Sequence, residues 1–287
     1  MRRVLRAASA DAALEPAVWN VSPMALEFFH RHGGARSSIV VFDRGLRMEG
    51  SFTDPGHCAV YLHERRFHER GLSSLLDREL AGDAVVADVG AGEGWFTLVA
   101  SARASRGRVF AFEPLPARRA ALERNVALNG IGTRVAVETT ALSTRAGSGN
   151  MTTRTPYRTP SSAARGEAGR ERSSTTRVST DTLDRWFKRR GLRRLDWVRV
   201  NAGGCEVDVL TGGARTLQRL RPRILLRGHR ARLERAGWDE GSVKAALGKM
   251  GYSGYFLQPD GRPGELSQAP HDGTWLFLPT VGAHGAG

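Results

Sequence analysis

Three glycines at a spacing of two residues, Gly90, Gly92 and Gly94, occupy the stretch of this chain best suited to bind a ligand. They follow a short apolar run over 85–89, rich in β-branched residues, that predicts a buried strand. A glycine tolerates positive φ and leaves room for another surface, so these positions allow a sharp turn close to a ligand. The residues from Trp95 onward predict a helix whose free N–H groups would face that ligand. The pattern is typical of a nucleotide-binding turn.

The glycine spacing helps to distinguish between two kinds of nucleotide. In dinucleotide-binding dehydrogenases the third glycine follows the second by three residues, whereas here Gly94 follows Gly92 by two and a bulky Trp95 comes next. This spacing favours S-adenosylmethionine (SAM) over NAD. The next apolar run ends in Glu113, nineteen residues after Gly94. A carboxylate there can accept hydrogen bonds from both ribose hydroxyls of an adenosine, although NAD enzymes use the same device.

The chain is strongly basic, with 43 lysines and arginines against 29 acidic residues and a formal net charge of +14. The segment from Arg185 to Arg235 contributes most, with 15 basic and 4 acidic residues. A basic face of this kind attracts phosphates or carboxylates. The alternative interpretation is a solvated, arginine-rich surface.

Cysteine usage and hydropathy exclude several classes of protein. Cys58 and Cys205 form no CxxC pair and have no metal-ligand spacing with the eight histidines, so we expect no disulfide framework and no metal. Asp11 and Glu15 interrupt what would be the apolar core of a signal peptide. No apolar run approaches membrane-spanning length. We therefore expect a soluble, cytoplasmic protein without a membrane partner.

Residues 1–80 predict an N-terminal extension that forms a small β-rich cap. Short strands are expected over 37–42, 45–48 and 59–62, and a helix is expected over 67–80 because its apolar residues recur at helical spacing. This order places the cap and one helix directly ahead of the glycine turn.

Residues 81–281 alternate predicted strands with predicted helices, which indicates one open α/β sheet built from βαβ units. We expect strands over 85–89, 108–112, 134–137, 195–200 and 222–226, and helices over 116–129, 182–190 with Asp181 as N-cap, 206–220 and 242–250. Two last strands over 255–257 and 274–278, separated by turn residues, predict a C-terminal antiparallel hairpin. Residues 144–178 are rich in Ser, Thr, Arg, Gly and Pro and predict either a flexible lid or a disordered loop. The tail over 282–287 is expected to be disordered.

Together these motifs resemble the FkbM-type SAM-dependent methyltransferases, within the seven-stranded, Rossmann-like class I methyltransferase fold that carries helices on both faces of its sheet. The resemblance covers about residues 80–230. The matching residues are 88–98, 111–114, Asn125 with 128–129, 141–143, 182–183, 209–210 and 213–214.

The resemblance implies SAM as cofactor, with S-adenosylhomocysteine as product. The three glycines would pass under the methionine part, Glu113 would hold the ribose, and Ala141 with Leu142 would flank the adenine. The full set of implied cofactor-binding residues is Asp88, Gly90, Ala91, Gly92, Gly94, Phe96, Glu113, Pro114, Ala141, Leu142 and Asn201. The implied reaction is methyl transfer to an oxygen of a small natural-product or sugar-like acceptor.

The chain departs from the family pattern where the chemistry is expected. The family typically carries Lys-Ile-Asp-Val-Glu-Gly-x-Glu at the end of the fourth strand, and the matching segment here is 199–206. The family Asp is Asn201, the first Glu is Gly203, and the last acid remains as Glu206. The fifth strand, which commonly ends in Glu, has Arg227 instead. An edge that is usually acidic is therefore neutral to basic.

The loss of acids limits how an acceptor could be deprotonated, so His229, Arg227 and Asn201 are the candidate catalytic residues. Asn201 cannot act as a base and Arg227 is permanently protonated. His229 is the remaining nearby residue with a suitable unperturbed pKa, although a lone histidine in an arginine-rich loop is more often an ordinary surface residue. Alternatively the acceptor is already an anion, such as a carboxylate, that Arg227 and Arg199 attract and orient.

Three functions fit the sequence. The first is an O-methyltransferase for a small-molecule acceptor, which is anionic in one variant of the hypothesis. The second is a SAM-binding auxiliary protein that has lost catalysis. The third is an RNA methyltransferase, suggested by the basic segment but disfavoured because the chain lacks the aromatic-rich basic platform of single-strand binders. A homodimer is one option for the oligomeric state, which the sequence leaves open.

Overall fold

The structure is a computed structural model that describes residues 37–51, 70–157, 170–266 and 272–280. Within these ranges the strands are β1 (Ser37–Phe42), β2 (Leu46–Ser51), β3 (Val85–Val89), β4 (Arg108–Phe112), β5 (Val135–Glu138), β6 (Ala141–Leu142), β7 (Gly147–Tyr157), β8 (Arg170–Asp181), β9 (Trp197–Val200), β10 (Arg223–His229), β11 (Tyr252–Leu257), β12 (Pro263–Glu265) and β13 (Asp272–Pro279). The helices in the same ranges are α1 (Arg70–Glu79), α2 (Trp95–Arg103), α3 (Pro116–Leu128), α4 (Leu183–Arg189), α5 (Glu206–Gly212), α6 (Ala214–Leu220), α7 (Arg230–Arg235) and α8 (Glu240–Lys249).

A mixed sheet forms the centre of the described part of the chain, with eight strands in the order β12-β11-β13-β10-β9-β3-β4-β5. The strands from β10 to β5 are parallel. β13 inserts antiparallel between β10 and β11. This confirms the predicted α/β sheet and its C-terminal antiparallel hairpin. β12 is an additional edge strand that the sequence did not predict, because it lies in a segment dominated by turn residues.

Helices cover both faces of the sheet, as predicted, because successive residues of each buried strand point to opposite faces. On one face Val86 belongs to a cluster of apolar side chains supplied by α1, α2 and α3. On the other face Ala87 and Val89 belong to a second cluster supplied by α4, α5, α6 and α8. The Trp186 ring of α4 packs edge-on against Phe110 and Phe112 of β4 in this second cluster.

The N-terminal hairpin formed by β1 and β2 is a separate antiparallel pair that packs on the main domain. Its inward side chains, Val40, Phe42, Leu46 and Met48, are buried and join the cluster around α1, α2 and α3. Two strands and the helix predicted for residues 1–80 are therefore present. The third predicted strand, over 59–62, lies outside the described residues.

Residues 144–178, expected to form a lid or a disordered loop, contain regular structure instead. β7 and β8 pair antiparallel along their whole length, and β6 pairs parallel with the end of β8. Cross-strand hydroxyl pairs contribute, such as Thr152 and Thr175 with oxygens 3.0 Å apart. Most described side chains of this ribbon are exposed, so the apolar alternation that marks a half-buried strand is missing from the sequence. Residues 158–169, which follow β7 and precede β8 in the sequence, lie outside the described residues.

Two local predictions need correction. The predicted helix over 206–220 is divided into α5 and α6, where a Cβ on Gly212 would lie 2.0 Å from the Ser143 carbonyl oxygen. Asp181 is not the N-cap of α4, since it is a buried strand residue whose carboxylate accepts from the Thr182 N–H. Thr182 is the N-cap, and its hydroxyl accepts a hydrogen bond from the Arg185 N–H at 3.0 Å. No helix in the described ranges is both long and apolar enough to cross a membrane.

Candidate active site

The glycine turn lies at the carboxyl end of β3, at the point where the strand order reverses between β4 on one side and β9 on the other. Open α/β sheets bind ligands at such a switch point. Gly90, Gly92 and Gly94 all have positive φ, at 79°, 59° and 101°. The N–H groups of Gly90 and Ala91 both donate to the Phe112 carbonyl oxygen at 3.0 Å, so the turn is held against the end of β4.

The surroundings of the three glycines show which of them can face a ligand. A Cβ on Gly90 would lie 2.1 Å from the Asn201 carbonyl oxygen, and a Cβ on Gly94 would lie 2.6 Å from the Leu122 side chain. A Cβ on Gly92 would have no atom of the described chain within 4 Å. Gly90 and Gly94 are therefore needed for close packing, whereas Gly92 borders open space.

Glu113, at the end of β4, is joined directly to this turn. One carboxylate oxygen accepts from the Gly92 N–H at 2.9 Å and the other from the Leu115 N–H at 3.0 Å. The residue is only 2% exposed, and this burial raises the pKa of its carboxyl group, while the two backbone hydrogen bonds act in the opposite direction. A carboxylate has about four lone-pair positions, so each oxygen can still accept from a ligand hydroxyl.

Beneath the turn, Asp88 and Arg199 form a buried ion pair. They are register partners on β3 and β9, and their side chains meet at 3.0 Å. Asp88 also accepts from the Thr97 hydroxyl at 2.6 Å. The Arg199 guanidinium lies 5.0 Å above the centre of the Phe96 ring, which is 1% exposed. Arg199 is therefore committed to the core, which corrects the expectation that it orients an acceptor, and the side chains of Asp88 and Phe96 support the turn from below.

The ends of β9 and β10 place two candidate catalytic residues side by side. Arg227 follows the register pair Leu226 and Val200, so it stands next to Asn201 at the sheet edge. The Asn201 N–H donates to the Val89 carbonyl oxygen at 2.8 Å. Its side-chain amide oxygen is buried and accepts no hydrogen bond from the described residues. Arg227 is only 7% exposed, so it is not an ordinary solvated arginine.

Glu206, the first residue of α5, is bound to the turn that follows β9. Glu206 is 1% exposed, and its carboxylate accepts from the Gly204 N–H at 2.9 Å. Gly203, which the sequence resemblance aligns with an acid of the family, has a φ of 68° and no atom of the described chain within 4 Å of a Cβ. Glu206 therefore stabilises the turn after β9.

The remaining predicted site residues are distributed around the same edge. Ala141 is partly exposed, whereas Leu142 is buried in the second apolar cluster. Of these two residues, only Ala141 has surface that a ligand could contact. Pro114 is buried, and its carbonyl oxygen accepts from Arg119 at 3.1 Å. His229 is the last residue of β10, two positions beyond Arg227, and its backbone pairs with Asp272.

One residue at this site was not singled out as functional from the sequence. Asn125 on α3 is fully buried and donates from its side chain to the carbonyl oxygen of Glu93, inside the glycine turn. The only sequence signal for it is its place among the motif matches. Two surface cavities of about 480 and 470 Å³ elsewhere on the molecule contain none of the predicted site residues. Among the described residues, no three His, Cys, Asp or Glu side chains are grouped to hold a metal ion.

Comparison with solved structures finds several methyltransferases. Methyltransferase FkbM from Methylobacillus flagellatus KT aligns with a TM-score of 0.48 and 13% identity, covering 79% of this chain and 54% of that one. The chain thus spans about half of that protein. The precorrin-6y C5,15-methyltransferase of Geobacter metallireducens GS-15 aligns with a TM-score of 0.42 and 16% identity, over 74% of this chain and 86% of that one. M. jannaschii TYW2, solved in complex with AdoMet, aligns with a TM-score of 0.42 and 15% identity over 86% of both chains.

Sequence comparison assigns the family. No curated protein sequence matches the chain significantly. The protein-family model described as the methyltransferase FkbM domain matches residues 88–253, which is more than half of the chain. This match begins at Asp88 beneath the glycine turn and extends through the end of β9 and all of β10, so it includes most of the site described above. The chain therefore belongs to the FkbM methyltransferase family.

Proposed function

We propose that this protein is a SAM-dependent O-methyltransferase whose acceptor is a small molecule that carries a carboxylate. The observation that carries the proposal is the direct hydrogen bond between the Gly92 N–H and the Glu113 carboxylate at the switch point of the sheet. It joins the two groups that a nucleoside cofactor would use, the glycine turn and the ribose-binding acid.

The residues at this edge fit SAM in three respects. Open space lies beside Gly92. The Glu113 carboxylate has lone pairs left for the two ribose hydroxyls. The amide oxygen of Asn201, which accepts no hydrogen bond within the described part of the chain, can accept from the ammonium group of the methionine part. Ala141 would border the adenine. When bound, SAM supplies an electrophilic methyl group on its sulfonium sulfur.

The charges near Asn201 support an anionic acceptor. The positions where the family carries acids are occupied by Asn201, Gly203 and Arg227. A hydroxyl acceptor must lose a proton as it attacks, and none of these three residues can take it. A carboxylate needs no base, and a nearly buried guanidinium binds it more strongly than an exposed one would. Arg227 would then bind and orient the acceptor, and alignment with the methyl group would supply much of the rate.

Calorimetric titration with S-adenosylhomocysteine tests the cofactor site. We expect the wild-type protein to bind, and Glu113→Gln to bind at least about tenfold more weakly, since charge-assisted contacts to the ribose are lost. Glu138→Gln is the matched control, because Glu138 is also an acid at a strand end but pairs with Arg190 instead of the turn. No binding by the wild-type protein would refute the proposed function.

The acceptor is tested with SAM labelled on its methyl group and a panel of carboxylic acids, phenols and sugars. A carboxylate acceptor gives a methyl ester, and mild base releases its label as volatile methanol, whereas a methyl ether keeps the label. Arg227→Gln should raise the KM for the acceptor and leave the affinity for S-adenosylhomocysteine unchanged. If the product is stable to base and is no longer formed by His229→Gln, the acceptor is a hydroxyl instead of a carboxylate and His229 is the general base.

A second candidate function is a SAM-binding auxiliary protein without transferase activity. The observation that favours it is the same lack of an acid at the ends of β9 and β10. Tight binding of S-adenosylhomocysteine without methyl transfer to any class of acceptor would support this function over the first.

A further inference from the structure

Two asparagines one helical turn apart, Asn125 in α3 and Asn129 at its C-cap, bind the N-terminal hairpin through its backbone. The Asn125 side chain accepts from the Glu49 N–H at 2.7 Å and donates to the Glu49 carbonyl oxygen at 3.2 Å. The Asn129 side chain accepts from the Arg47 N–H at 2.8 Å and donates to the Arg47 carbonyl oxygen at 2.6 Å. The two asparagines are four residues apart, and their partners Arg47 and Glu49 are two residues apart on β2. The side-chain amides therefore bind the backbone of β2 as a neighbouring strand would.

The two asparagines differ in their third hydrogen bond. Asn129 donates to the carbonyl oxygen of Asn125, within its own helix, at 2.7 Å. Asn125 donates instead to the carbonyl oxygen of Glu93 at 2.9 Å. Glu93 lies between Gly92 and Gly94 in the glycine turn. Asn125 therefore contacts both the hairpin and the turn, whereas Asn129 contacts the hairpin and its own helix.

The hydrogen-bonding capacity of Asn125 leaves little freedom for this arrangement. A side-chain amide has two N–H donors, and Asn125 uses them on Glu49 and Glu93. The residue is 0% exposed, so water cannot replace a contact that is lost. If the hairpin moves, the Asn125 amide must either follow it and release the Glu93 carbonyl oxygen, or stay and leave the Glu49 backbone unpaired.

A second contact reinforces this link between the hairpin and the turn. Asp43, between β1 and β2, forms a buried ion pair with Arg103 at 2.5 Å. Arg103 is the last residue of α2, the helix that begins directly after Gly94. The hairpin is thus attached to both helices that border the glycine turn.

We propose that Asn125 is a positioning residue that couples docking of the β1–β2 hairpin to the conformation of the glycine turn, and through the turn to cofactor affinity. The coupling to the turn stands on the contacts alone, whereas the coupling to cofactor affinity rests on the proposed function. Because such coupling is reciprocal, a ligand that orders the turn must also stabilise the docked hairpin.

Hydrogen exchange of the ligand-free protein tests the coupling to the turn. The probes are the amides of Gly92 and Gly94, which donate to Glu113 and to the Ala91 carbonyl oxygen. Asn125→Ala should speed exchange of both probes by about tenfold or more, the size of one lost hydrogen bond. Asn129→Ala should speed exchange mainly of the Arg47 amide in the hairpin and should affect the two turn amides much less than Asn125→Ala does, because it leaves the Asn125 contacts in place.

Equal effects of the two substitutions on the turn amides, or no effect of either, would overturn the proposal. Asn125→Asp provides a second variant that keeps the volume of the side chain should the alanine variant not fold. Its carboxylate can still accept from the Glu49 N–H but can donate to neither the Glu49 nor the Glu93 carbonyl oxygen, so the same exchange pattern is expected.

Calorimetry with S-adenosylhomocysteine tests the coupling to the cofactor. Asn125→Asp should weaken binding by about tenfold, and Asn129→Ala should weaken it much less. In the wild-type protein, saturating S-adenosylhomocysteine should slow exchange of the Glu49 amide. If the wild-type protein does not bind this ligand, the proposed function fails, while exchange in the ligand-free protein still decides the role of Asn125.

Discussion

Glu113 shows how surroundings change the chemistry of one side chain. Its carboxylate ends β4, accepts two backbone hydrogen bonds and is almost completely buried. Because burial disfavours the charged form, the pKa of this carboxyl group is raised. The group that the proposed cofactor needs in its charged form is thus the one that gains a proton more readily than an exposed glutamate.

This raised pKa predicts a pH dependence of cofactor binding. As the pH falls through the pKa of Glu113, the carboxylate gains a proton and loses acceptor strength toward the ribose hydroxyls. We expect the affinity for S-adenosylhomocysteine to fall as the pH is lowered from neutral, and to begin to fall at a higher pH than an exposed glutamate would allow. Calorimetric titrations across this range measure the effect, and the affinity of Glu113→Gln should not vary with pH.

The same pKa shift predicts how the free energy of unfolding depends on pH. Because the pKa of Glu113 is higher in the native than in the unfolded state, the native state binds more protons between the two values. The free energy of unfolding of the wild-type protein should therefore fall, relative to that of Glu113→Gln, as the pH rises through this window. Urea titrations at several pH values would show this, and a difference of opposite sign would contradict the assignment.

The glycines of the turn predict two different effects of adding one methyl group. Gly90→Ala would bring a Cβ to 2.1 Å from the Asn201 carbonyl oxygen at a φ of 79°, so we expect a large loss of stability. Gly92→Ala faces open space and should cost only about 1–2 kcal/mol for the left-handed backbone. Its Cβ would occupy the ligand's side, so its main effect should be weaker binding of S-adenosylhomocysteine. Thermal unfolding and calorimetry on both variants separate the two roles.

At the scale of elements, the neighbouring polar residues Asp181 and Thr182 have different roles where β8 ends and α4 begins. Asp181 belongs to β8, and Arg189 from the last turn of α4 contacts its carboxylate. Thr182, one residue later, caps the helix. Asp and Thr both favour N-cap positions. Because β8 includes Asp181 and ends there, Thr182 becomes the N-cap of α4.

This division predicts that Thr182→Ala costs about 1 kcal/mol of unfolding free energy, the usual size of a lost N-cap. Thr211→Ala is the control, because Thr211 is exposed within α5 and alanine is the better helix former. Urea denaturation of both variants measures the difference. An equal loss in the two variants would show that the Thr182 hydroxyl does not act as the cap.

At the scale of the whole molecule, charges join the hairpin, α1 and α2. Arg103 contacts Asp43 at 2.5 Å and Asp77 of α1 at 2.9 Å, and both Arg103 and Asp43 are about 3% exposed. Asp77 is also paired with Arg44 at the surface. The hairpin is therefore an integral layer of the molecule, since its apolar face and its turn are both bound to the main domain.

Removing one partner of the buried pair should be much more costly than removing both. We expect Arg103→Met to lose about 3–5 kcal/mol of unfolding free energy, because the Asp43 carboxylate stays buried without its counter-charge. The double variant Asp43→Leu/Arg103→Met should recover much of this loss. Lys244→Met, at the exposed pair with Glu240, is the control and should leave the Tm unchanged. A loss that is not recovered in the double variant would point to packing around the arginine stem.

Local patterns in the sequence were enough to predict the alternation of strands and helices, the glycine turn and the family. They also singled out Glu113, nineteen residues after Gly94. These are short-range features, because a buried strand, a left-handed turn and a helix are each encoded by a few consecutive residues. The FkbM resemblance inferred from these motifs is confirmed by the family match. The polar ribbon of β7 and β8 escaped prediction because neither of its faces carries the apolar alternation that marks a strand.

Tertiary structure alone decided which charged and polar side chains meet. Nothing in the sequence marks Arg199 as a core residue, yet the register of β3 and β9 pairs it with Asp88, 111 residues away. Asn125 likewise acquires its role because α3 packs between the hairpin and the turn. Pairing, burial and desolvation depend on contacts between residues far apart in the chain. The spacing of residues therefore predicted the candidate site, and the fold determined the contacts that each of its side chains makes.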